Sequence, residues 1–265
     1  GLMVGEKFSH QEIYQKRELG ENVLELNGLS GHGFSNVNLT VKKGSIVGLT
    51  GLQGSGSSEL LQGLFGAVPV TGGTLKVSGK ECRIHGIQGA MKAGIAMLAS
   101  NRKENSVIPD MSILENMYLS EQVLSARQPL ISAGRERERY EKYKKLLSIK
   151  AADPKDPITS LSGGNQQKVF LARWLNTEAG ILLLDNPTQG IDVGAKAEIY
   201  KLILKLADAG KTILINTLEI PELAKVADCC AVFYEGTIIK MLQHEEIDEK
   251  TVMLYSTNAA QKGES

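Results

Sequence analysis

Net charge, aromatic residues, cysteines and long apolar runs are all scarce in this 265-residue chain. Lysine and arginine total 30, and so do aspartate and glutamate, so no basic surface for nucleic acid is indicated. The three cysteines lack metal-ligand spacing, which favours a reducing compartment and a packing role. Adjacent Cys229 and Cys230 are expected to face opposite sides of a strand. Because no apolar run reaches bilayer length, any membrane contact is expected to come through a partner.

The most informative stretch covers residues 161–194 and reads LSGGNQQKVFLARWLNTEAGILLLDNPTQGIDVG. Its small residues at 162–164 leave backbone N–H groups open at a helix start, which is a favourable anion site. Residues 181–184 form an apolar run typical of a buried parallel strand. That strand ends on Asp185, which places a carboxylate at the sheet edge where open α/β sheets bind ligands.

A second glycine-rich segment lies between a predicted strand at 46–50 and a predicted helix bearing Leu60, Leu61 and Leu64. Strand, glycine-rich loop and helix is the order that a phosphate cradle requires, because glycines turn the backbone and aim its N–H groups at phosphate oxygens. A glycine- and serine-rich turn without a ligand is the alternative. The predicted phosphate-binding residues are Gly51, Gln53, Gly54, Ser55, Gly56, Ser57 and Ser58.

Together these motifs resemble the ATP-binding-cassette (ABC) ATPases. The fuller forms LSGGNQQK and D-x-PTxGIDVGAK are similar to the second cassette of the fused ATP-binding subunits of bacterial sugar importers. The resemblance implies an α/β fold: a P-loop NTPase core with a parallel sheet, an antiparallel β subdomain and an inserted helical subdomain. A glycine-rich helix start beside an ordinary core strand is the competing interpretation.

On this resemblance the chain divides into a linker between cassettes, an α/β core and an inserted subdomain. The linker is residues 1–20, for which a disordered native N-terminus is the alternative. The core covers 21–99 and 158–256, the helical subdomain 100–157 and the tail 257–265.

Four shorter elements are also predicted. A short strand is expected at 75–77, and short helices are expected at 113–119 and 221–227. The charged stretch at 135–142, which continues into Leu146 and Leu147, has opposite charges at helical spacing and predicts a solvated helix.

The resemblance implies ATP and Mg²⁺ as ligands, with the metal near Ser58, Asp185 and Ser100. A simple strand cap is the alternative role for Asp185. His32 and Phe34 are the nearest candidates for stacking adenine, although Phe34 at a strand start also suits the core.

Four positions depart from the family pattern. Ser57 stands in place of the phosphate-binding lysine, and Asn186 in place of the glutamate that polarises the attacking water. Leu218 stands in place of the switch histidine, and Ser100 in place of an acidic residue or glutamine. No catalytic residue is therefore assigned, and this domain alone is expected to bind ATP weakly without hydrolysing it.

The signature segment, by contrast, matches the family fully; it consists of Leu161, Ser162, Gly163, Gly164, Asn165 and Gln166. In the family it completes the ATP site of another cassette, and Asp192 resembles the residue that relays between the two sites. The implied partners are another cassette, a membrane permease and, indirectly, a substrate-binding protein, but no nucleic acid. The implied location is the cytoplasmic face of the plasma membrane.

The sequence is also compatible with two other hypotheses about function. One is a non-catalytic, nucleotide-gated scaffold of a transporter, and the other is a soluble ABC ATPase outside transport. For an importer, ribose, galactose, xylose and nucleosides are all possible substrates.

Overall fold

The computed structural model describes residues 14–100, 106–124 and 133–259. Their strands are β1 (Asn22–Gly31), β2 (Phe34–Lys42), β3 (Ile46–Gly51), β4 (Val70–Val77), β5 (Lys80–Glu81), β6 (Ile95–Leu98), β7 (Ile181–Asp185), β8 (Thr212–Asn216), β9 (Cys229–Tyr234) and β10 (Thr237–Gln243). Their helices are α1 (Ser57–Leu64), α2 (Gly86–Lys92), α3 (Ile113–Leu124), α4 (Ala133–Leu146), α5 (Gly163–Leu175), α6 (Val193–Asp208), α7 (Ile220–Leu223) and α8 (Glu249–Ser256). Short 3₁₀ turns lie at Ile158–Ser160 and His244–Glu246.

The larger sheet has the strand order β10-β9-β3-β8-β7-β6. All of its neighbours pair in parallel except β10, which is antiparallel to β9. Every residue of β3, β7 and β8 is buried, as expected for central strands covered on both faces. The carboxyl ends of β3, β7 and β8 therefore lie at one edge, where the predicted loop and Asp185 meet. The predicted α/β fold is confirmed.

The smaller sheet is antiparallel, with the order β2-β1-β4-β5. The sequence predicted only the last residues of β4, but the strand begins at Val70. Gly72 and Gly73 interrupt its apolar pattern, and Gly73 has φ +80°. A Cβ on Gly73 would lie 2.3 Å from the backbone oxygen of Gly28, so close pairing with β1 requires glycine there.

Two apolar clusters lie on either side of the large sheet. One contains Cys230 and buried side chains of α5 and α6. The other contains buried side chains of α1 and the small sheet, and Cys229 packs against it. The two cysteines therefore face opposite sides of β9, as predicted. Burial raises the pKa of Cys229 to about 11, which keeps this thiol protonated and unreactive near neutral pH.

Helices α3 and α4 lie between β6 and α5 in the chain. Helix α3 extends to Leu124, five residues beyond the helix predicted for 113–119, and the charged stretch at 135–142 lies within α4, as predicted. A buried arginine on α5 holds α3: Arg173 Nε donates to the Asn116 backbone oxygen at 2.6 Å and Nη2 donates to Asn116 Oδ1 at 3.0 Å. Burial lowers the pKa of Arg173 to about 10.

The start of the described chain lies against the core, opposite the carboxyl edge of the parallel strands. Arg17 Nη2 donates to Asp228 Oδ2 at 2.6 Å, and the same oxygen accepts from the Ile46 backbone N–H at 2.7 Å. The Tyr14 ring stacks on His244 with centroids 3.5 Å apart. Burial, followed by the charge of Asp228, raises the pKa of Tyr14 to about 12.

Among the predictions for the chain ends and connections, one is wrong and others fall outside the described residues. The helix predicted for 221–227 is wrong in extent, because α7 ends at Leu223. Residues 1–13 of the predicted linker and 260–265 of the predicted tail lie outside the described residues. The domain boundaries stay predictions. Within the described ranges, no helix is both long and apolar enough to cross a bilayer.

Candidate functional site

The predicted phosphate loop, residues 51–58, connects the end of β3 to the start of α1. Gly54 and Gly56 have φ +78° and +102°, which a residue with a side chain adopts only with strain. A Cβ on Gly56 would lie 2.6 Å from the Gly33 backbone oxygen and 2.8 Å from Gly236 Cα. Gly56 also caps α1 without a side-chain hydrogen bond, so the first N–H groups of that helix receive no cap from it.

Asp185 lies at the centre of a polar cluster beside this loop and is 1% exposed. Ser58 Oγ donates to Asp185 Oδ2 at 2.6 Å. The other carboxylate oxygen, Oδ1, accepts from Asn216 Nδ2 at 2.7 Å and from Asn186 Nδ2 at 3.3 Å. Three neutral donors thus hold a buried carboxylate in one orientation.

Asn216 belongs to this cluster but was not predicted as a site residue. It ends the apolar strand TILIN in the way that Asp185 ends ILLLD, and the two residues are register partners on β8 and β7. The signal available in the sequence was a polar residue at the end of a buried strand, as at Asp185.

An open cleft of about 530 Å³ lies above the loop and the Asp185 cluster. Its lining contains most of the predicted phosphate-binding residues and brings Ser100, Asn186 and Leu218 to the same place. The lining residues are Gly51, Leu52, Gln53, Gly54, Ser57, Ser58, Glu59, Ser100, Asn186, Thr188, Gln189, Asn216, Thr217, Leu218 and Glu219. Two predicted phosphate-binding residues, Ser55 and Gly56, are not in the lining, and neither is the predicted metal ligand Asp185, which lies buried beneath it. Ser55 is buried, and its Oγ lies against Gly51.

A larger cleft, of about 690 Å³, lies elsewhere, between β4 and the segment at 81–86. It contains none of the predicted site residues. The smaller cleft is the candidate site, because the loop, the start of α1 and the residues bonded to Asp185 converge there.

The oxygen atoms at the loop fit Mg²⁺. The Ser58 hydroxyl and the Asp185 carboxylate are hard oxygen donors that touch each other, and Ser100 lines the same cleft. Within the described ranges no group of three histidine, cysteine or acidic residues forms a closed metal site. A few protein oxygens completed by phosphate and water is the coordination that Mg²⁺ prefers.

The far side of the cleft is formed by the segment after β8. Leu218, at the position predicted for the switch residue, is 63% exposed. The neighbouring Glu219 carboxylate accepts from Thr188 Oγ1 at 2.8 Å and pairs with Lys196 on α6. This side of the cleft therefore presents an apolar side chain and an acidic one.

The signature segment lies at the start of α5 and is not in the lining of this cleft. Ser162 is exposed and caps α5, and its Oγ accepts from Asn165 Nδ2 at 2.9 Å. Gln166 Nε2 donates to the Leu161 backbone oxygen at 3.0 Å. A Cβ on the buried Gly164 would lie 2.7 Å from Ala195 Cβ, so this glycine allows α5 to approach the first turn of α6.

Of the two adenine-stacking candidates, Phe34 is the wrong one. It is 2% exposed and packs in the core, because its ring fills the space left by Gly31 and Gly63. His32 lies exposed in the turn between β1 and β2.

A parallel sheet with a phosphate loop facing a strand-ending aspartate, together with a helix that starts on LSGGNQ, defines an ATP-binding-cassette fold. The ABC transporter family profile matches residues 34–189, which is more than half of the chain. The chain belongs to the ABC transporter family.

Two curated relatives cover nearly the whole chain. The arabinose import ATP-binding protein AraG of Vibrio parahaemolyticus is 39% identical over 95% of this chain and 50% of its own length. The ribose import ATP-binding protein RbsA of Geobacillus kaustophilus is 38% identical over 97% of this chain and 51% of its own. The chain thus spans about half the length of the curated relatives it matches.

Solved structures agree on the fold. A nucleotide-free cassette from an ABC transporter superposes with a TM-score of 0.77 at 22% identity, covering 89% of this chain and 99% of that one. A dimeric cassette in a post-hydrolysis state with ADP and Pi gives 0.72 at 22% identity, covering 83% and 98%. At this identity the likeness supports the fold alone.

Proposed function

We propose that the chain is a nucleotide-binding domain of a bacterial monosaccharide importer, equivalent to the second cassette of a fused ATP-binding subunit. The LSGGNQQK and GIDVGAK motifs support this assignment, as do relatives named for arabinose and ribose import. A nucleoside or another sugar fits the same motifs, because they contact nucleotide rather than cargo.

At its own loop the chain binds ATP weakly. The turns at Gly54 and Gly56 and the start of α1 supply N–H donors to the phosphates, and Ser58 and Asp185 would hold Mg²⁺, which neutralises phosphate charge. Ser57 provides no ammonium group. One charge-assisted hydrogen bond contributes about 1.5–3 kcal/mol, so affinity is lower by roughly ten- to a hundredfold.

Hydrolysis at this site lacks its proton acceptor. The Asn186 amide is neutral and donates to Asp185, so it cannot take a proton from water. A positioned general base contributes about 10²–10⁴ in rate. Leu218, at the edge of the same cleft, has no hydrogen-bonding group to offer a γ-phosphate.

The signature segment completes the ATP site of another cassette. Ser162 is exposed and α5 begins with N–H groups that its side chain does not cap, so hydroxyl and amide donors face outward. Asp192 caps α6 by accepting from the Ala195 N–H at 3.0 Å, which places it beside Gly164 at the same surface. This position supports its role as the relay between two sites.

The remaining partners follow from the importer assignment. A membrane permease contacts the helical region at 100–157, and a substrate-binding protein delivers the sugar to that permease. The domain then works at the cytoplasmic face of the plasma membrane.

One observation supports this proposal most strongly. The signature segment is intact and lies outside a cleft in which Asn186 replaces the general base and Ser57 replaces the phosphate-binding lysine. Ser162→Ala in the assembled transporter tests it, because loss of a hydroxyl at the γ-phosphate should lower the ATPase rate. An unchanged rate would favour the non-catalytic scaffold instead.

A further inference from the structure

We propose that Asn165 is a positioning residue, whose side-chain amide fixes the direction of the Ser162 O–H bond so that this hydroxyl donates its proton outward. The inference rests on the proposed function in one respect, namely that the signature segment meets a phosphate of a nucleotide bound by another cassette. In this role Asn165 acts through Ser162 and does not itself touch the nucleotide.

The amide of Asn165 has a single orientation that satisfies both of its neighbours. The backbone N–H of Lys150 lies 2.8 Å from Asn165 Oδ1. Because a backbone N–H only donates, the atom that faces it must be the amide oxygen. The amide nitrogen Nδ2 therefore faces Ser162, and it donates to Ser162 Oγ at 2.9 Å. Hydrogen bonding at both ends thus decides which end of the amide is oxygen.

This contact determines where the proton of the Ser162 hydroxyl lies. An N–H of Asn165 already points at Oγ, so the O–H bond cannot point back at Asn165. Ser162 Oγ makes no capping bond to α5, and the residue is exposed. Among the described residues no other group accepts this proton. Because phosphate oxygens only accept hydrogen bonds, an outward O–H is the group that a phosphate requires.

A buried lysine holds the turn to which the Asn165 amide is bonded. Lys168, on α5, is 4% exposed, and its Nζ donates to the Ser148 backbone oxygen at 3.2 Å and to Glu198 Oε2 at 2.6 Å. Ser148 has φ +50°, a strained conformation for a residue with a side chain. The bond from Lys168 lowers the pKa of the Glu198 carboxyl, so this carboxylate stays charged opposite the lysine near neutral pH.

Two bonds therefore join the turn after α4 to one face of α5. They reach Asn165 and Lys168, which are three residues apart and so lie on the same side of the helix. A displacement of this turn would move the amide of Asn165 and, with it, the O–H bond of Ser162. The direction of the hydroxyl is thus coupled to the position of the helical region that precedes α5.

The next amide in the signature segment does not share this role. Gln166 Nε2 donates to the backbone oxygens of Leu161 at 3.0 Å and Ile158 at 3.3 Å. Its amide is therefore directed to the chain before α5 and not to the Ser162 hydroxyl.

The size of the expected effect follows from rotation about the C–O bond of serine. A free hydroxyl has about three staggered positions, and one of them points at a given acceptor. Without Asn165, roughly one third of the hydroxyls would have the productive direction. We therefore expect Asn165→Ala to lower kcat/KM for ATP about threefold in the assembled transporter.

A double-mutant cycle with Ser162→Ala tests whether the amide acts through the hydroxyl. If it does, Asn165→Ala should cost about threefold in the unaltered protein and almost nothing in the Ser162→Ala background, where no hydroxyl remains to be oriented. A purely structural role at the start of α5 would cost the same in both backgrounds. Asn27→Ala, at an exposed asparagine of β1, is the control and should leave kcat/KM unchanged in both.

Asn165→Asp provides a second test with a side chain of nearly the same shape. The carboxylate still accepts from the Lys150 N–H, and a negative charge in the first turn of α5 favours the helix, so the fold should persist. Because a carboxylate only accepts, the Ser162 hydroxyl would turn its proton inward. The loss of kcat/KM should therefore exceed that of Asn165→Ala and reach roughly tenfold or more. An Asn165→Asp transporter as active as the unaltered one would overturn the positioning role.

The outcomes separate this inference from the proposed function. An unchanged rate in Ser162→Ala would overturn the role of the signature segment, and the positioning of its hydroxyl with it. A lower rate in Ser162→Ala, together with an equal cost of Asn165→Ala in both backgrounds, would overturn the positioning role alone. So would an unchanged kcat/KM in Asn165→Ala itself.

Discussion

The side-chain amide of Asn216 donates a 2.7 Å hydrogen bond to the carboxylate of Asp185. The two residues end neighbouring parallel strands in register, so the contact is a direct product of the β7–β8 pairing. The amide occupies Oδ1 together with Asn186, while Oδ2 accepts from Ser58. By holding Oδ1, Asn216 fixes the Asp185 carboxylate so that Oδ2 faces the loop.

Asn216→Asp should destabilise the chain in a pH-dependent way. Two adjacent buried carboxylates repel, so one of them takes up a proton in the folded state and its pKa rises above the unfolded value. Relative to the unaltered chain, the loss should be small near about pH 4 and should grow as pH rises above the ordinary carboxyl range. Denaturant unfolding at several pH values measures it. A pH-independent loss would mean that the two side chains do not face each other.

Ser57→Lys should tighten Mg²⁺-ATP binding by roughly ten- to a hundredfold, because it restores a charge-assisted contact to the outer phosphates. It should not restore hydrolysis, since Asn186 still lacks basicity. Equilibrium titration and a turnover assay on the same protein check both parts. Unchanged affinity would mean that the loop does not hold phosphate, and turnover of roughly 1 s⁻¹ or more would contradict the assignment of a retired site.

Asn116→Ala should weaken the attachment of α3 to α5. The change removes the side-chain acceptor for the buried Arg173 guanidinium, and a buried donor left unpaired costs about 1–3 kcal/mol. Gln122→Ala, at an exposed position of the same helix, is the control and should stay within about 0.5 kcal/mol. Unfolding free energies from denaturant titration provide the comparison. Equal effects in both variants would argue against a structural role for the Asn116 side chain, which also bonds the backbone of Ile108.

Arg17→Gln should destabilise the core even though Arg17 lies in the segment predicted as a linker. Its side chain and that of Asp228 are only 10% and 9% exposed, so the loss leaves a mostly buried carboxylate with fewer donors. We expect a cost of about 1–3 kcal/mol by denaturant unfolding. The exposed neighbour offers a control: Lys16→Gln should have little effect. An unchanged free energy of unfolding in Arg17→Gln would mean that residues 14–20 are not held on the core.

The fold was predictable where one segment carries its own signal. The runs ILLLD and IVGLT are apolar without alternation, which identifies central parallel strands, and LSGGN identifies a helix start. The predicted order of strand, glycine-rich loop and helix is present at 51–58, between β3 and α1. Ser58 and Asp185 were predicted as neighbours, and they form a direct hydrogen bond.

The features that could not be predicted from the sequence depend mostly on contacts between residues that lie far apart in the chain. Asn216 has a role only because β8 pairs with β7, and Arg17 only because Asp228 comes to lie beside it. The beginning of β4 was missed because Gly72 and Gly73 resemble a turn until their close pairing with β1 is known. Phe34 was a stacking candidate from its position alone, and its burial depends on the nearby Gly31 and on Gly63, which lies far along the chain in α1.

The proposed function requires that this chain donate its signature segment to a working site in another cassette, while the site at its own loop stays inactive. The direct test compares Gly163→Asp with Ser57→Asp in the assembled transporter. Each change places one carboxylate where phosphate would lie, at the signature segment or at the loop. Substitution of Gly56 is avoided, because its Cβ would lie 2.6 Å from the Gly33 oxygen and would distort the loop regardless of ligand.

The measurement is the steady-state ATPase rate of the two variants, with the nucleotide content of the loop determined alongside. We expect Gly163→Asp to abolish turnover, and we expect Ser57→Asp to lower nucleotide occupancy of the loop while largely preserving the rate. Loss of turnover in Ser57→Asp, with Gly163→Asp unaffected, would show that the hydrolysing site and the inactive site are reversed.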